Sequence, residues 1–229
     1  MELSIRLKTV ASMIGTCDSV IDVGTDHGYV PIYLVKKGII KKAIASDVNR
    51  GPVEKARNNI DINNTQGQIS CRLGSGLSTV KRGEVQIAII AGMGGNLIRD
   101  ILEGDLDIVK ELKYVVLQPV QNAEVLRAYL YNRGYDILDE EICYDDGKYY
   151  EIIKARFNTK PLEMDSIYYE ISKILLDKKQ VVMQKFVEYK LQKYLKVYYT
   201  LNEDTTLSKS RKEQLYIITS KLKEFLRCF

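Results

Sequence analysis

Apolar residues follow two rhythms along this chain. In the first two thirds, short runs rich in Val and Ile alternate with stretches where apolar residues return every three or four positions. The runs are SVIDVG (19–24), AIASDV (43–48), ISCRLG (69–74), VQIAIIAG (85–92) and YVVLQP (114–119). Each closes near Gly, Asp, Asn or Pro, as buried parallel strands do. The amphipathic stretches are 29–37, 52–63, 96–102 and 122–132, and a further helix is expected over 3–14, ahead of the first strand. Pro52, behind Arg50-Gly51, suits the first turn of a helix. Such alternation predicts a doubly wound α/β sheet. Two longer runs, YDILDEEICY and KYYEIIKARF, flank Asp145-Asp146-Gly147-Lys148 and predict a hairpin.

The rhythm changes at Lys160-Pro161, so residues 1–158 and 159–229 are expected to form separate domains. Beyond Pro161 there is no further Gly or Pro. Val182, Phe186, Tyr189, Tyr194, Leu195 and Tyr198 recur at helical spacing. A polar break, Asn202 to Thr206, precedes Leu215, Ile218, Leu222, Phe225 and Leu226. This predicts two helices folded back as an αα-hairpin, a coiled coil imperfect at Lys178, Lys185 and Lys193. Ser208 or Ser210 is the expected cap of the second helix, with Glu213 completing a capping box from Ser210. The tail's tyrosines read as core positions, with base stacking as the alternative.

Composition adds three constraints. Hydrophobic residues at 45% and charged residues at 28% suit a globular chain. No apolar run reaches the ~18 residues that span a bilayer, and no basic start followed by an apolar stretch suggests a signal peptide, so a cytoplasmic protein without membrane contact is expected; a monomer is expected as well, although no feature of the sequence bears on it. Cys17, Cys71, Cys143 and Cys228 lie far apart, which argues against a metal site or a disulfide framework. The net charge is +4, and the segment from Lys160 onward holds 14 Lys and Arg against 9 Asp and Glu. A basic tail is compatible with a polyanionic partner.

The chemistry gathers at the ends of the predicted strands. In VIDVGTDHGYVPIYL (20–34), a strand ends in Asp22-Val23-Gly24 and a helix starts near Gly28. Gly24 permits close backbone approach, and the helix start favours electron-rich groups. Asp26 stands where a dinucleotide fold needs glycine. It would repel a pyrophosphate but favour a sulfonium and an ammonium, which points to S-adenosylmethionine rather than NAD. Asp47, 23 residues after Gly24, is placed to accept hydrogen bonds from a ribose diol, with Val48 beside it. RLGSGL brings Gly74, Ser75 and Gly76 to the adenine position. IIAGMGG brings Ala91, Gly92 and Met93 to the floor of the transfer site. LQPV places Gln118 beside an acceptor base. Asp22, Thr25, His27 and Gly28 complete the expected cofactor contacts. His27, the only histidine, doubles as a hydrogen-bonding or proton-transfer group. A mostly parallel seven-stranded sheet with a terminal antiparallel hairpin is the Rossmann-like layout of class I methyltransferases.

These residues resemble the bacterial tRNA (adenine-22-N1)-methyltransferases. The likeness rests on LSIRL, DVGTDHGYVPIYL, ASDVNRGPVEKA, RLGSGL, IAGMGGNLIRDILE, LQPVQNAEVLRAYL and DDGKYYEI, and covers residues 3 to about 154. The basic helical tail is similar to the family's C-terminal coiled coil. Two positions differ: Ser75 stands where the family has Asp, and Val120 where it has Asn.

The resemblance implies methyl transfer to N1 of an adenine in tRNA, with Asp26, His27 and Gln118 at the reacting centre. Tyr29, Gly94 and Pro119 would face the substrate. Arg6 and the tail would grip the phosphate backbone. Two alternatives stay open: a weakly catalytic tRNA-binding protein on this fold, and a methyltransferase with another substrate.

Overall fold

The computed structural model describes residues 2–202 and 205–229, so Glu203 and Asp204 of the expected polar break lie outside the described residues. The chain divides into two compact units, the first ending at Met164 and the second running Asp165–Phe229.

The first unit is a sheet between two helical layers. Its elements run α1 (Ile5–Ser12), β1 (Cys17–Val23), α2 (Tyr29–Lys36), β2 (Ile40–Asp47), α3 (Arg50–Ile62), β3 (Ile69–Leu73), β4 (Ile87–Gly94), α4 (Gly95–Gly104), α5 (Leu106–Val109), β5 (Tyr114–Gln121), α6 (Ala123–Arg133), β6 (Tyr135–Asp145) and β7 (Lys148–Phe157). The strand order is β3-β2-β1-β4-β5-β7-β6. The first five strands pair in parallel, whereas β7 runs antiparallel to β5 and to β6. This is the Rossmann-like sheet with a terminal hairpin that the runs predict.

Successive strand residues alternate between two cores, as the pleat requires. Val20, Ile89 and Val116 pack on the side of α1 and α2, while Ile21, Ile90 and Val115 pack on the side of α4 and α6. The order reverses between β1 and β4. The crevice beyond the carboxyl ends of strands that flank such a reversal is where open α/β sheets bind ligands.

Two local features depart from the sequence-based expectations, and a third meets them. First, β4 does not stop at Gly92, the end that its apolar run predicts. The strand continues to Gly94 with register shifts on either side of Met93, and Gly92 takes φ +81°. That positive φ lets one extra residue bulge out while pairing resumes beyond it. Gly95 then opens α4, so close to the next strand's exit that a Cβ there would lie 2.2 Å from the Asn122 carbonyl oxygen. Second, β5 also runs on, through Pro119 to Gln121, paired with the bulged β4. Third, the β6–β7 turn is a tight two-residue one. Asp145 pairs with Lys148, and Asp146 and Gly147 take φ +47° and +76°, the type I′ signature.

The second unit contains α7 (Ile167–Glu170), α8 (Lys173–Lys178), α9 (Val181–Thr200) and α10 (Thr206–Leu226). The long α9 and α10 pack together as a helical hairpin. The two short helices before them carry no periodic signal of their own. The buried stripe of α9 is Met183, Phe186, Val187 and Leu191, one step round from the expected Val182 and Tyr189. Tyr189, Tyr199 and Tyr216 are exposed, so they are not core. On α10, Leu215 and Leu222 are buried as expected. The helix is capped by Thr205 rather than Ser208 or Ser210. Ser208 is the reciprocal partner: its N–H donates to Thr205 Oγ1 at 3.1 Å and its hydroxyl accepts from the Thr205 N–H at 3.1 Å. Thr205 has the extended backbone of a cap.

Candidate active site

The turn after β1 is latched to β2, because the N–H groups of Gly24 and Thr25 both donate to the Ser46 carbonyl, at 2.8 and 2.9 Å. Gly24 takes φ +75°. The Thr25 hydroxyl accepts from the Gly28 N–H at 3.2 Å and bonds the Asp22 carboxyl. Gly28 (φ +69°) caps α2 without a side chain, and a Cβ there would touch Ala56 Cβ at 3.4 Å. The two glycines thus serve different ends: one shapes the turn and the other lets α2 approach α3.

A cleft of about 360 Å³ opens beside this turn, between β1 and β4. It brings together Arg6, Asp22, Gly24, Thr25, Asp26, His27, Gly28, Tyr29, Ala91 and Gly92. Asp22 is only 8% exposed. Burial pushes its carboxyl up to about 6, the Thr25 hydrogen bond opposes the rise, and the charge of nearby Asp47 adds to it. Among the described residues, no cation lies within ion-pair distance of it.

Asp26 is on the rim. It lies 3.2 Å from His27 Nε2 and 3.5 Å from Lys55 Nζ, and its side chain is 63% exposed. The acid that faces the cleft without a cation is therefore Asp22, not Asp26. Nothing in the sequence pattern ties Lys55 to the β1 turn, because α3 carries it there. His27 is half-buried and stacks on Tyr29, with the Asn59 amide donating to its carbonyl at 2.9 Å.

The ends of β2 and β3 sit next to the β1 turn, although Asp47, Val48, Gly74, Ser75 and Gly76 are not among the residues lining the cleft. Asp47 is half-buried, and its Oδ1 accepts from the Asn49 N–H at 2.7 Å. Among the described residues, its other oxygen has no such partner. Val48 presents an exposed apolar side chain next to it. The Gly74 N–H donates to the Asp47 carbonyl at 2.9 Å, which sets the 74–76 turn alongside. There the glycines serve the loop itself. A Cβ on Gly74 would meet Thr79 Cγ2 at 2.6 Å, and one on Gly76 would meet Asp105 Oδ2 at 2.8 Å. Asp105 accepts from the Leu77 N–H at 2.8 Å and pins the turn. Ser75 is the exposed group that remains.

Met93 lies directly over Gly24, since a Cβ on that glycine would come within 2.1 Å of Met93 Cε. Gly94 abuts Gln121, whose Nε2 would be 3.3 Å from an added Cβ. Gln118 and Pro119 do not line the open cleft. Both are buried because β5 continues past them, and Gln118 is wholly inaccessible. The Gln118 amide is fully engaged instead: Nε2 donates to the Pro119 carbonyl at 2.8 Å, and Oε1 accepts from Arg6 Nη1 at 2.8 Å. Arg6 is likewise not on the outer surface. Its guanidinium is held in the cleft wall, 5.4 Å from the centre of the Tyr150 ring and beside Gly92. Asp145, Tyr150, Asp105 and Lys55 are contributors to which the sequence analysis gave no site role, although Asp145, Tyr150 and Lys55 lie inside DDGKYYEI and ASDVNRGPVEKA. They converge through tertiary pairing, and only the Asp-Gly turn next to Asp145 gave a local hint.

A second groove of similar volume, about 360 Å³, lies at the opposite ends of β1 to β3. Its one buried-side cation, Arg72, is matched by Glu84, whose carboxyl the Arg72 hydrogen bonds pull down to about 2. The acid lining that groove, Glu84, is already paired with Arg72.

A Rossmann-like sheet with a glycine turn, a buried acid at the switch point and a second acid at the end of β2 defines an S-adenosylmethionine-dependent methyltransferase. A family model described as a methyltransferase domain matches residues 3–153. The chain is 33% identical to the tRNA (adenine(22)-N(1))-methyltransferase of Bacillus subtilis over 99% of its own length and 98% of that protein. It therefore belongs to the tRNA (adenine(22)-N(1))-methyltransferase family. Among solved structures, Streptococcus pneumoniae Sp1610 in complex with S-adenosyl-L-methionine superposes with a TM-score of 0.87 at 30% identity, covering 98% of this chain and 100% of that one. M. capricolum TrmK in complex with S-adenosyl-homocysteine gives 0.85 at 26% identity, with 97% and 99% covered.

The residues here fit S-adenosylmethionine. Among the described residues, Asp22 is a buried acceptor with no cation in ion-pair reach and one Asp47 oxygen has no hydrogen-bond donor, while Gly24, Gly28 and Gly92 line the cleft. Among the described residues, no group of His, Cys, Asp and Glu could hold a metal, and no helix is long and apolar enough to cross a membrane.

Proposed function

We propose that this chain methylates N1 of adenine 22 in tRNA, acting as a monomer in the cytoplasm. The observation that carries the reading is the full-length likeness to the Bacillus subtilis enzyme, combined with a cleft at the β1–β4 switch point whose acids suit a cationic donor.

S-adenosylmethionine, when bound, supplies an electrophilic methyl group on a sulfonium. The work left to the protein is placement. Adenine N1 has an in-plane lone pair, so no side chain need remove a proton before attack. Holding donor and acceptor in line can itself lower a barrier by about 7–11 kcal/mol at best. Asp22 would take the donor's ammonium and Asp47 its ribose hydroxyls, with Val48 and the Ser75 turn at the adenine. Tyr29, on the cleft rim, would receive the flipped acceptor base. Asp26, between His27 and Lys55, would hold His27 in its stack and keep negative charge near a product base that becomes cationic. The exposed lysines and tyrosines of α9 and α10 would contact the RNA backbone.

The test is to incubate the purified protein with tRNA and labelled S-adenosylmethionine and to map the modified nucleotide. A methyl group at N1 of adenine 22, lost when that base is changed to guanine, is expected. Labelling elsewhere, or none, overturns the reading. Sedimentation of the protein alone checks the monomer.

A further inference from the structure

We infer that Gln121 selects adenine as the acceptor base, by hydrogen-bonding the edge that carries N6 and N7. This rests on the proposed function and names the residue that reads the base.

The reaction limits where the base can be read. Attack comes from N1, so N1 must stay uncovered for the methyl group. The polar edge that remains holds the N6 amine, a donor, and N7, an acceptor. A side-chain amide matches both at once, its oxygen accepting from N6 and its nitrogen donating to N7. Guanine shows two acceptors on the same edge, N7 and O6, so one amide cannot satisfy it in that way.

The structure brings a free amide to the end of the central strands. Gln118 is unavailable for this task, because its two ends are taken by the Pro119 carbonyl and by Arg6. β5 runs on past it, however, and its pairing with β4 ends with Gln121 opposite Gly94. Between them, Pro119 and Val120 offer no polar side chain. The Gln121 side chain lies against Gly94, where Nε2, Cγ and Cδ would be 3.3, 3.6 and 3.9 Å from an added Cβ. It is exposed, and among the described residues its amide has no hydrogen-bond partner.

The position also suits a base rather than the cofactor. Gly92, two residues before Gly94 on the same strand, lines the cleft, and Met93 between them lies over Gly24. Gln121 itself is not among the lining residues, so its amide stands outside the space the cofactor would fill. Tyr29 then holds the face of the base and Gln121 its edge.

The experiment compares tRNA carrying adenosine at position 22 with the same tRNA carrying 7-deazaadenosine there, in which a carbon replaces N7. That replacement makes N1 more basic, so a lost rate reports recognition and not a weaker nucleophile. Wild-type kcat/KM should be roughly 10-fold lower, or more, on the analogue. Gln121→Met should bring the adenosine substrate down to the analogue and make the two equal. Its S-adenosylhomocysteine affinity should stay within about twofold of wild type, which reports an intact fold and cofactor site. Gln121→Glu should also fail to tell the two apart, since a carboxylate accepts from N6 but has no hydrogen for N7. A wild-type protein indifferent to N7 overturns the inference. So does a Gln121→Met protein that keeps the preference, or one that loses S-adenosylhomocysteine. A wild-type protein that leaves the adenosine tRNA unmethylated overturns the proposed function, and the choice of base with it.

Discussion

The rings of His27 and Tyr29 stack with centroids 4.8 Å apart and planes inclined by 9°. One aromatic layer is thus already in place on the rim of the cleft, with Tyr29 36% exposed. Base stacking on an aromatic side chain is worth about 1–3 kcal/mol. Tyr29→Ala should lower kcat/KM for tRNA by about tenfold or more and leave S-adenosylhomocysteine affinity unchanged. Tyr29→Phe should retain most activity. Equal losses in the two variants would point to the hydroxyl and remove stacking as the role.

Asp22 makes the protein pH-sensitive in a direction opposite to most carboxylates. Its value is raised from 3.8 to about 6 by burial, so between those values the folded chain keeps a proton that the unfolded chain has released. The group therefore costs nothing below the unfolded value, and it destabilises the fold progressively as the pH rises through about 6. The full interval corresponds to about 3 kcal/mol at most. Asp22→Asn should raise the urea midpoint at about pH 7.5 and change it little at about pH 4. Wild-type affinity for S-adenosylhomocysteine should fall as the pH drops through about 6, since a neutral acid holds an ammonium poorly. The variant should bind weakly at every pH.

Gly24 cannot be replaced cheaply. An alanine there is strained by φ +75° and displaces Met93. The backbone term alone costs about 1–2 kcal/mol. Gly24→Ala should weaken S-adenosylhomocysteine binding at least about tenfold. Adding Met93→Ala should restore only part of the loss, because it clears the space and leaves the strain. Full restoration would show that crowding alone was responsible.

Beneath the hairpin, Arg127 on α6 meets Glu140 of β6 at 2.8 Å and also Glu151 of β7, all three buried. Removing one partner from such a group leaves unmatched charge away from water, typically at a cost of about 3–5 kcal/mol. Arg127→Met should destabilise the protein by that order, read from urea unfolding. A loss below about 1 kcal/mol would mean the carboxylates simply take up protons.

Where the determinants are local, the fold could be read from the chain. The β1 run, Pro52 inside the first turns of α3 and the Asp146-Gly147 turn each impose a backbone choice on their neighbours, and each lies where the pattern puts it. The site was legible only in part. Asp22, Gly24 and Asp47 sit at strand ends, so finding the strands found them. The glycines after Ile90 looked like a turn, because a bulge uses the same residue type as a strand end. Gln118 looked like an end residue because Pro119 usually stops a strand, yet here the strand pairs on past it. Arg6 was missed as a cleft residue because its partners, Gln118 and Tyr150, lie more than a hundred positions away and belong to no motif it shares.

The two terminal antiparallel strands carry a consequence for assembly of the enzyme on the ribosome. Tyr150 backs the guanidinium near the start of the chain, and Asp145 fastens the same residue's main chain. A nascent or prematurely terminated polypeptide ending after β5 would possess every glycine-rich loop and still lack the aromatic face behind Arg6 and the acid that holds its main chain. Competence is thus withheld until the hairpin emerges and folds back, so a fragment that bears every glycine-rich loop and lacks the hairpin should be inert.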